Sequence, residues 1–139
     1  MKKITSILLV ILCVALLMAG CNRGPVYMDT TARYTEDATL GDGSKTITVT
    51  VKDNEGKAVV FTIQTDAKTV GDALTENKLI AGDEAAYGLY IKVVNGLRAD
   101  YDKDHAYWAF NIDGEMAMTG VDMTDIVDGG NYELVYTIG

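Results

Sequence analysis

The chain has 139 residues and a formal net charge of −8 at pH 7, with 20 acidic residues against 12 basic ones. Because such a surface repels the phosphate backbone of nucleic acids, we expect no nucleic-acid partner. It has two cysteines and one histidine, which are too few for thiolate-rich or histidine-rich metal sites.

The first twenty residues have the features of a lipoprotein signal peptide. Lys2 and Lys3 give a positive start, and the uncharged run 4–18 follows. This run is shorter than the about 20 residues of a membrane-spanning helix, but it fits the apolar part of a signal peptide. The segment Leu17-Met18-Ala19-Gly20-Cys21 resembles a lipobox, in which the cysteine is lipidated. Residues 1–20 are therefore predicted to be removed; an uncleaved anchor helix is the alternative.

Cys21 is thus predicted to hold the protein on the extracytoplasmic face of the cell membrane through its lipid. Cys13 lies in the removed segment, so the mature domain keeps neither a disulfide nor a free thiol. Residues 21–43 contain the only proline, Pro25, and show no sustained apolar period. They are predicted to be the lipidated cysteine and a flexible tether.

Residues 44–139 are predicted to form one domain, made mostly of strands. Polar and apolar residues alternate strictly over 46–51, a turn occupies 53–56, and a second strand covers 59–65, which together indicate a hairpin. Thr69, with Asp72 three residues later, resembles a capping box and opens a short helix. An acidic loop is expected between this helix and the next strand.

Three more strands are predicted at 89–94, 106–112 and 132–138. Asn95-Gly96 ends the first of them, and Asp113-Gly114 is a strong two-residue hairpin turn. The predicted fold class is α+β: a small β-grasp-like domain with a mixed sheet of about five strands crossed by one short helix.

An ordered series of short motifs in this domain resembles the transcobalamin-like C-terminal domain family. The resemblance covers about residues 46–138, and its motifs are Tyr87–Ile91, Val94–Gly96, Tyr107-Trp108, Asp113-Gly114, Gly120-Val121 and Asp128-Gly129. In animal cobalamin carriers, the related domain closes over the corrinoid opposite a large helical domain, and no counterpart of that domain is predicted in these 139 residues. The resemblance implies a cobalamin-like corrinoid as the first ligand candidate.

Tyr107 and Trp108 are the most informative pair for binding. Neighbours on a strand face opposite sides, so one ring enters the core and the other lies outside or at a rim. An exposed ring near Tyr90, Tyr101 or Tyr136 would offer a platform for a ring-bearing ligand; a core Trp108 with an edge Tyr107 is the alternative. The predicted ligand-binding residues are Tyr90, Asn95, Gly96, Tyr107, Trp108 and Asp113.

Asp100, Asp102 and Asp104 have the spacing that begins a calcium loop. The rest of an EF-hand is missing, because His105 stands where glycine is needed and Asn111 where glutamate is needed. These three aspartates therefore predict a looser calcium site, with a solvated loop as the alternative.

The predicted function is that of a surface-anchored lipoprotein with a non-catalytic domain that captures a small molecule, a corrinoid first. The alternative is a calcium-binding or structural module that contacts a surface protein. No required cofactor is predicted. An enzyme is not expected, because no feature of the sequence selects a catalytic pair among its many carboxylates.

Overall fold

A computed structural model describes residues 33–139. The predicted signal peptide, Cys21 and the tether up to residue 32 lie outside the described residues. The described elements, in chain order, are β1 (Ala38–Gly41), β2 (Lys45–Lys52), β3 (Ala58–Thr65), α1 (Val70–Glu76), β4 (Ile80–Ala85), β5 (Gly88–Val94), β6 (Leu97–Arg98), α2 (Tyr101–Asp104), β7 (Ala106–Ile112), β8 (Glu115–Met116), a 3-10 turn (Val121–Met123) and β9 (Asn131–Ile138).

The main sheet is mixed and has six strands in the order β1-β3-β2-β9-β7-β8. The predicted hairpin is present as β2 and β3, which pair antiparallel. β9 lies parallel to β2 on one side and antiparallel to β7 on the other. The alternation in β2 buries Ile47, Val49 and Val51 on one face and leaves its threonines on the other, which is the pattern expected of a sheet covered on one face.

A second sheet of three strands, β4-β5-β6, corrects the predicted single sheet. The segment expected to be an acidic loop forms β4 and pairs antiparallel with β5. Its apolar signal is weak because Ile80 is buried at one end while Asp83 and Glu84 are exposed at the other. Backbone pairing, rather than burial of alternate side chains, therefore makes this segment a strand.

The predicted short helix is α1, and it begins where the sequence indicates. Thr69 is its N-cap, and the Asp72 backbone N–H donates to Thr69 Oγ1 at 3.1 Å. Three residues of α1 are buried in the core that covers the main sheet: Val70, Ala73 and Leu74. Gly71 permits α1 to lie close to the 3-10 turn, because a Cβ at this position would lie 2.9 Å from the backbone of Asp122.

The core lies on one face of the main sheet, beneath α1 and the second sheet. Its largest fully buried side chains include Phe61, Ile63, Leu74, Leu79 and Leu134. Within residues 33–139, no helix is long and apolar enough to cross a membrane.

The tether prediction, which ran to residue 43, is corrected at its C-terminal end. β1 pairs parallel with β3, and the Val60 N–H donates to Asp37 Oδ1 at 2.8 Å. The Tyr34 ring meets Phe61 edge-on, with the ring centroids 5.3 Å apart. β1 was not predicted from the sequence because it has only four residues, and only two of them, Ala38 and Leu40, are partly buried.

Candidate ligand-binding site

A pocket of about 240 Å³ lies at one end of the domain and is bounded by segments far apart in sequence. Residues 33–35 form one part of its lining, and the turn between β2 and β3 forms another. Val94, Asn95 and Leu97 contribute from the β5–β6 turn, and Trp108 contributes from β7. The pocket thus lies where the N-terminal segment, the main sheet and the second sheet meet.

Asn95 holds the N-terminal segment against this pocket. The Tyr34 N–H donates to Asn95 Oδ1 at 2.7 Å, and Asn95 Nδ2 donates to the Tyr34 carbonyl at 2.9 Å. The side-chain amide therefore pairs with the backbone as a neighbouring strand would. Asn95 adopts a left-handed backbone with φ 47°, and Gly96 follows with φ 77°, which asparagine and glycine tolerate best.

Trp108 has a buried hydrogen-bond donor without an acceptor. Its side chain is 7% exposed, and its ring meets Tyr136 edge-on at 5.5 Å. Within the described residues, Nε1 has no hydrogen-bond partner. Since buried polar groups are normally paired, this N–H favours an acceptor that lies outside the described residues.

The pocket carries charges of both signs. Arg33 and Lys57 line it together with Asp53 and Glu55. Asp53 Oδ1 also accepts from the backbone N–H groups of Glu55 and Lys57, both at 2.9 Å, and so fixes the β2–β3 turn. A mixed lining of this kind selects for polar but nearly neutral ligand groups over a strongly charged one.

The predicted ligand-binding residues do not all meet at this pocket. Asn95 and Trp108 line it, and Gly96 belongs to the same turn as Asn95. Tyr107 neighbours Trp108 on β7, where it is opposite Thr137 and half-buried, while Trp108 enters the core.

Two predicted residues lie elsewhere. Tyr90 lines a separate hollow on the second sheet. Asp113 forms the β7–β8 turn with φ 51°, and its backbone N–H donates to the Asn131 carbonyl at 3.0 Å. Residues 33–35 were not predicted to line the pocket. The sequence feature that could have indicated them is Tyr34, an aromatic residue isolated in a polar segment.

The three aspartates of the predicted calcium site form a short helix. Asp100 is the N-cap of α2, and its Oδ1 accepts from the backbone N–H groups of Asp102 and Lys103 at 3.1 and 3.2 Å. Residues two apart on a helix do not face each other, so Asp102 and Asp104 diverge. Across residues 33–139, no group of three or more histidine, cysteine or acidic side chains is arranged to hold a metal ion.

A family model described as "Domain of unknown function (DUF4430)" matches residues 67–136. The chain belongs to this family. No curated protein matches it. A solved structure of a candidate metal-binding protein from Ruminococcus gnavus ATCC 29149 is 36% identical, with a TM-score of 0.66, over 69% of this DUF4430 chain and 99% of the other.

Haptocorrin in complex with Cbi (cobinamide) is the second structural neighbour, at 24% identity and a TM-score of 0.50. The similarity covers 71% of the DUF4430 chain and 26% of haptocorrin. The transcobalamin-like resemblance seen in the sequence is thus confirmed at the level of the fold.

Proposed function

We propose that this DUF4430 protein is a lipid-anchored, extracytoplasmic domain that binds a small molecule without transforming it. The observation that carries the proposal is the pocket beside Trp108, whose buried indole N–H has no acceptor within the described residues. The pocket is also preformed, because the Asn95 amide fixes its N-terminal wall. Preformed hollows with a few fixed polar groups are typical of small-molecule sites.

A corrinoid is the ligand we propose first. Haptocorrin, 26% of which has a similar fold, is seen in complex with Cbi. Corrinoids carry neutral amide arms around a large ring. Each arm has a carbonyl that can accept from an indole N–H. A pocket of about 240 Å³ suits one such arm, with the ring lying across the mouth.

The proposed binding domain has a β-grasp fold. The β2–β3 hairpin is followed by α1, and β9 returns parallel to β2 at the centre of the sheet. This order of strands supports a β-grasp assignment, with β1 and the second sheet as additions. The predicted lipid at Cys21 would anchor it in the membrane.

A divalent cation is the second candidate ligand. The Ruminococcus gnavus relative, 36% identical, is described as a candidate metal-binding protein. Calcium titration of the wild type beside an Asp100→Asn variant tests this reading. Saturable binding heat that disappears in the variant supports a cation site at α2. Equal binding heats in both proteins exclude a cation site at α2.

Calorimetric titration with cobinamide tests the corrinoid reading, using the full-length chain in lauryldimethylamine oxide micelles. We expect saturable binding with a Kd below about 1 mM, at which binding is worth about 4 kcal/mol. Trp108→Phe keeps an aromatic ring and removes the donor, so it should weaken binding about tenfold, as the loss of one hydrogen bond does.

Asp113→Asn is the matched control, because this turn residue lies outside the pocket lining. Its Kd should equal that of the wild type. Absence of heat at about 1 mM cobinamide, or an unchanged Kd in Trp108→Phe, contradicts the corrinoid proposal.

A further inference from the structure

A second hollow, of about 390 Å³, lies on the side of the small sheet where Tyr90 is exposed. Tyr90 and Lys92 of β5 line it together with Arg98 of β6 and Tyr101 of α2. It shares no lining residue with the pocket beside Trp108. The two are therefore separate sites on one domain.

The two tyrosine rings are presented by different elements and remain open to solvent. Tyr90 is 44% exposed and Tyr101 is 51% exposed. The Tyr101 ring is held from one side by His105, edge-on with centroids 5.7 Å apart. Its helix is fixed by the Asp100 cap. Exposed rings held in this way offer apolar faces with a polar tip, a combination that suits amphipathic ligands.

The basic groups of the hollow come with carboxylates beside them. Lys92 Nζ lies 2.6 Å from Asp83 Oδ2, and an Arg98 guanidinium nitrogen lies 4.0 Å from Asp100 Oδ2. Asp102 also lines the hollow. Donors and acceptors are thus present side by side in near charge balance, an arrangement that does not favour a free anion over a neutral polar ligand.

A bulge in the β4–β5 ladder contributes to this arrangement. Ala81 is opposite Val93 and Gly82 is opposite Ile91, so Lys92 is the extra residue of a β-bulge on β5. Bulges of this kind re-aim a side chain and recur next to binding sites. Here the bulged residue is the lysine of the hollow.

We infer that this hollow binds a neutral sugar unit of a glycan. A pyranose ring has an apolar C–H face that stacks on an aromatic ring, and hydroxyls around its rim that both donate and accept. The tyrosines match the first property, and the paired charges Lys92–Asp83 and Arg98–Asp100 match the second. The site does not depend on the proposed corrinoid pocket.

Calorimetric titration with four neutral hexasaccharides tests the inference: those of β-1,4-glucose, α-1,4-glucose, β-1,4-N-acetylglucosamine and mannose. The full-length chain is held in lauryldimethylamine oxide, which has no sugar headgroup. We expect at least one hexasaccharide to bind with a Kd between about 10 μM and 1 mM. Tyr90→Ala and Tyr101→Ala should each weaken that binding about tenfold or more.

Tyr87→Ala is the matched control, because Tyr87 is 88% exposed in the β4–β5 turn and does not line the hollow. Its Kd should not change. Trp108→Phe should also keep glycan binding, which separates this site from the corrinoid pocket. Circular dichroism of each variant shows that it folds.

Three results would overturn the inference. The first is no heat with any of the four glycans up to about 10 mM. The second is unchanged binding in folded Tyr90→Ala and Tyr101→Ala. The third is displacement of the glycan by inorganic phosphate at equal concentration, which would make the hollow an anion site.

Discussion

Replacing Asn95 with alanine should detach the N-terminal wall of the pocket beside Trp108. The substitution removes two hydrogen bonds to Tyr34, of 2.7 and 2.9 Å, each worth about 0.5–1.5 kcal/mol net. It also places alanine at φ 47°, which costs about 1 kcal/mol more for a residue without asparagine's local hydrogen bonding. The free energy of unfolding should therefore fall by about 2–4 kcal/mol.

Asn95→Gly separates the two contributions. Glycine accepts the left-handed backbone, so this variant loses mainly the amide and should fall by about 1–3 kcal/mol. Alanine should be the less stable of the two by about 1 kcal/mol, because a Cβ is strained where φ is positive. Asn54→Ala is the control: Asn54 is exposed in the β2–β3 turn, and its replacement should stay within about 0.5 kcal/mol of the wild type.

Urea unfolding followed by Trp108 fluorescence measures these differences, and a fall of about 2–4 kcal/mol corresponds to a Tm lowered by about 10–20 °C. An Asn95→Gly variant as stable as the wild type would refute the role of the amide in holding Tyr34. Equal stability of the glycine and alanine variants would refute the backbone contribution.

Two further predictions concern turns. The Ser44 hydroxyl, then the Ser44 backbone N–H, lower the pKa of Asp66 below its ordinary value of 3.8 by donating to its carboxylate at 2.6 and 2.9 Å. Because the folded pKa is depressed, this contribution to stability is present above the ordinary value and is lost as pH falls through the folded one. Ser44→Ala should raise the pKa of Asp66 in an NMR titration, and an unchanged pKa contradicts the assignment. Gly88→Ala should destabilise the domain by about 2–5 kcal/mol, since φ is 104° and the added Cβ would lie 2.5 Å from Asp122 Oδ1. Gly114→Ala, at φ 82° with open space around it, should lose only about 1–2 kcal/mol in the same urea assay, and equal losses would exclude the Asp122 contact.

The main sheet could be predicted because its signals are local. Alternation in β2 places Ile47, Val49 and Val51 on one face, and a single-residue shift would expose all three. Asp113-Gly114 gives a tight turn whose two residues have φ of 51° and 82°, as such hairpins require. The capped start of α1 is equally local.

The second sheet and β1 could not be predicted in the same way. β4 ends in exposed acidic residues, and its place depends on backbone pairing with β5. Likewise, the hydrogen bonds between Tyr34 and Asn95 join residues 61 positions apart. Periodicity carries no information about such pairings, so the pocket wall and the separation of Tyr90 from Trp108 appear only in three dimensions.

The position of β9 has a consequence for how the domain folds. β9 is the last described strand, yet it lies between β2 and β7 and joins the two parts of the main sheet. The β3–β2 hairpin can form early, because its contacts are close in sequence. The sheet closes only when the chain has passed through the second sheet and both short helices. Until β9 is in place, no strand connects β2 with β7. Pairing of β9 joins segments far apart in sequence, so we expect this step of folding to be slow.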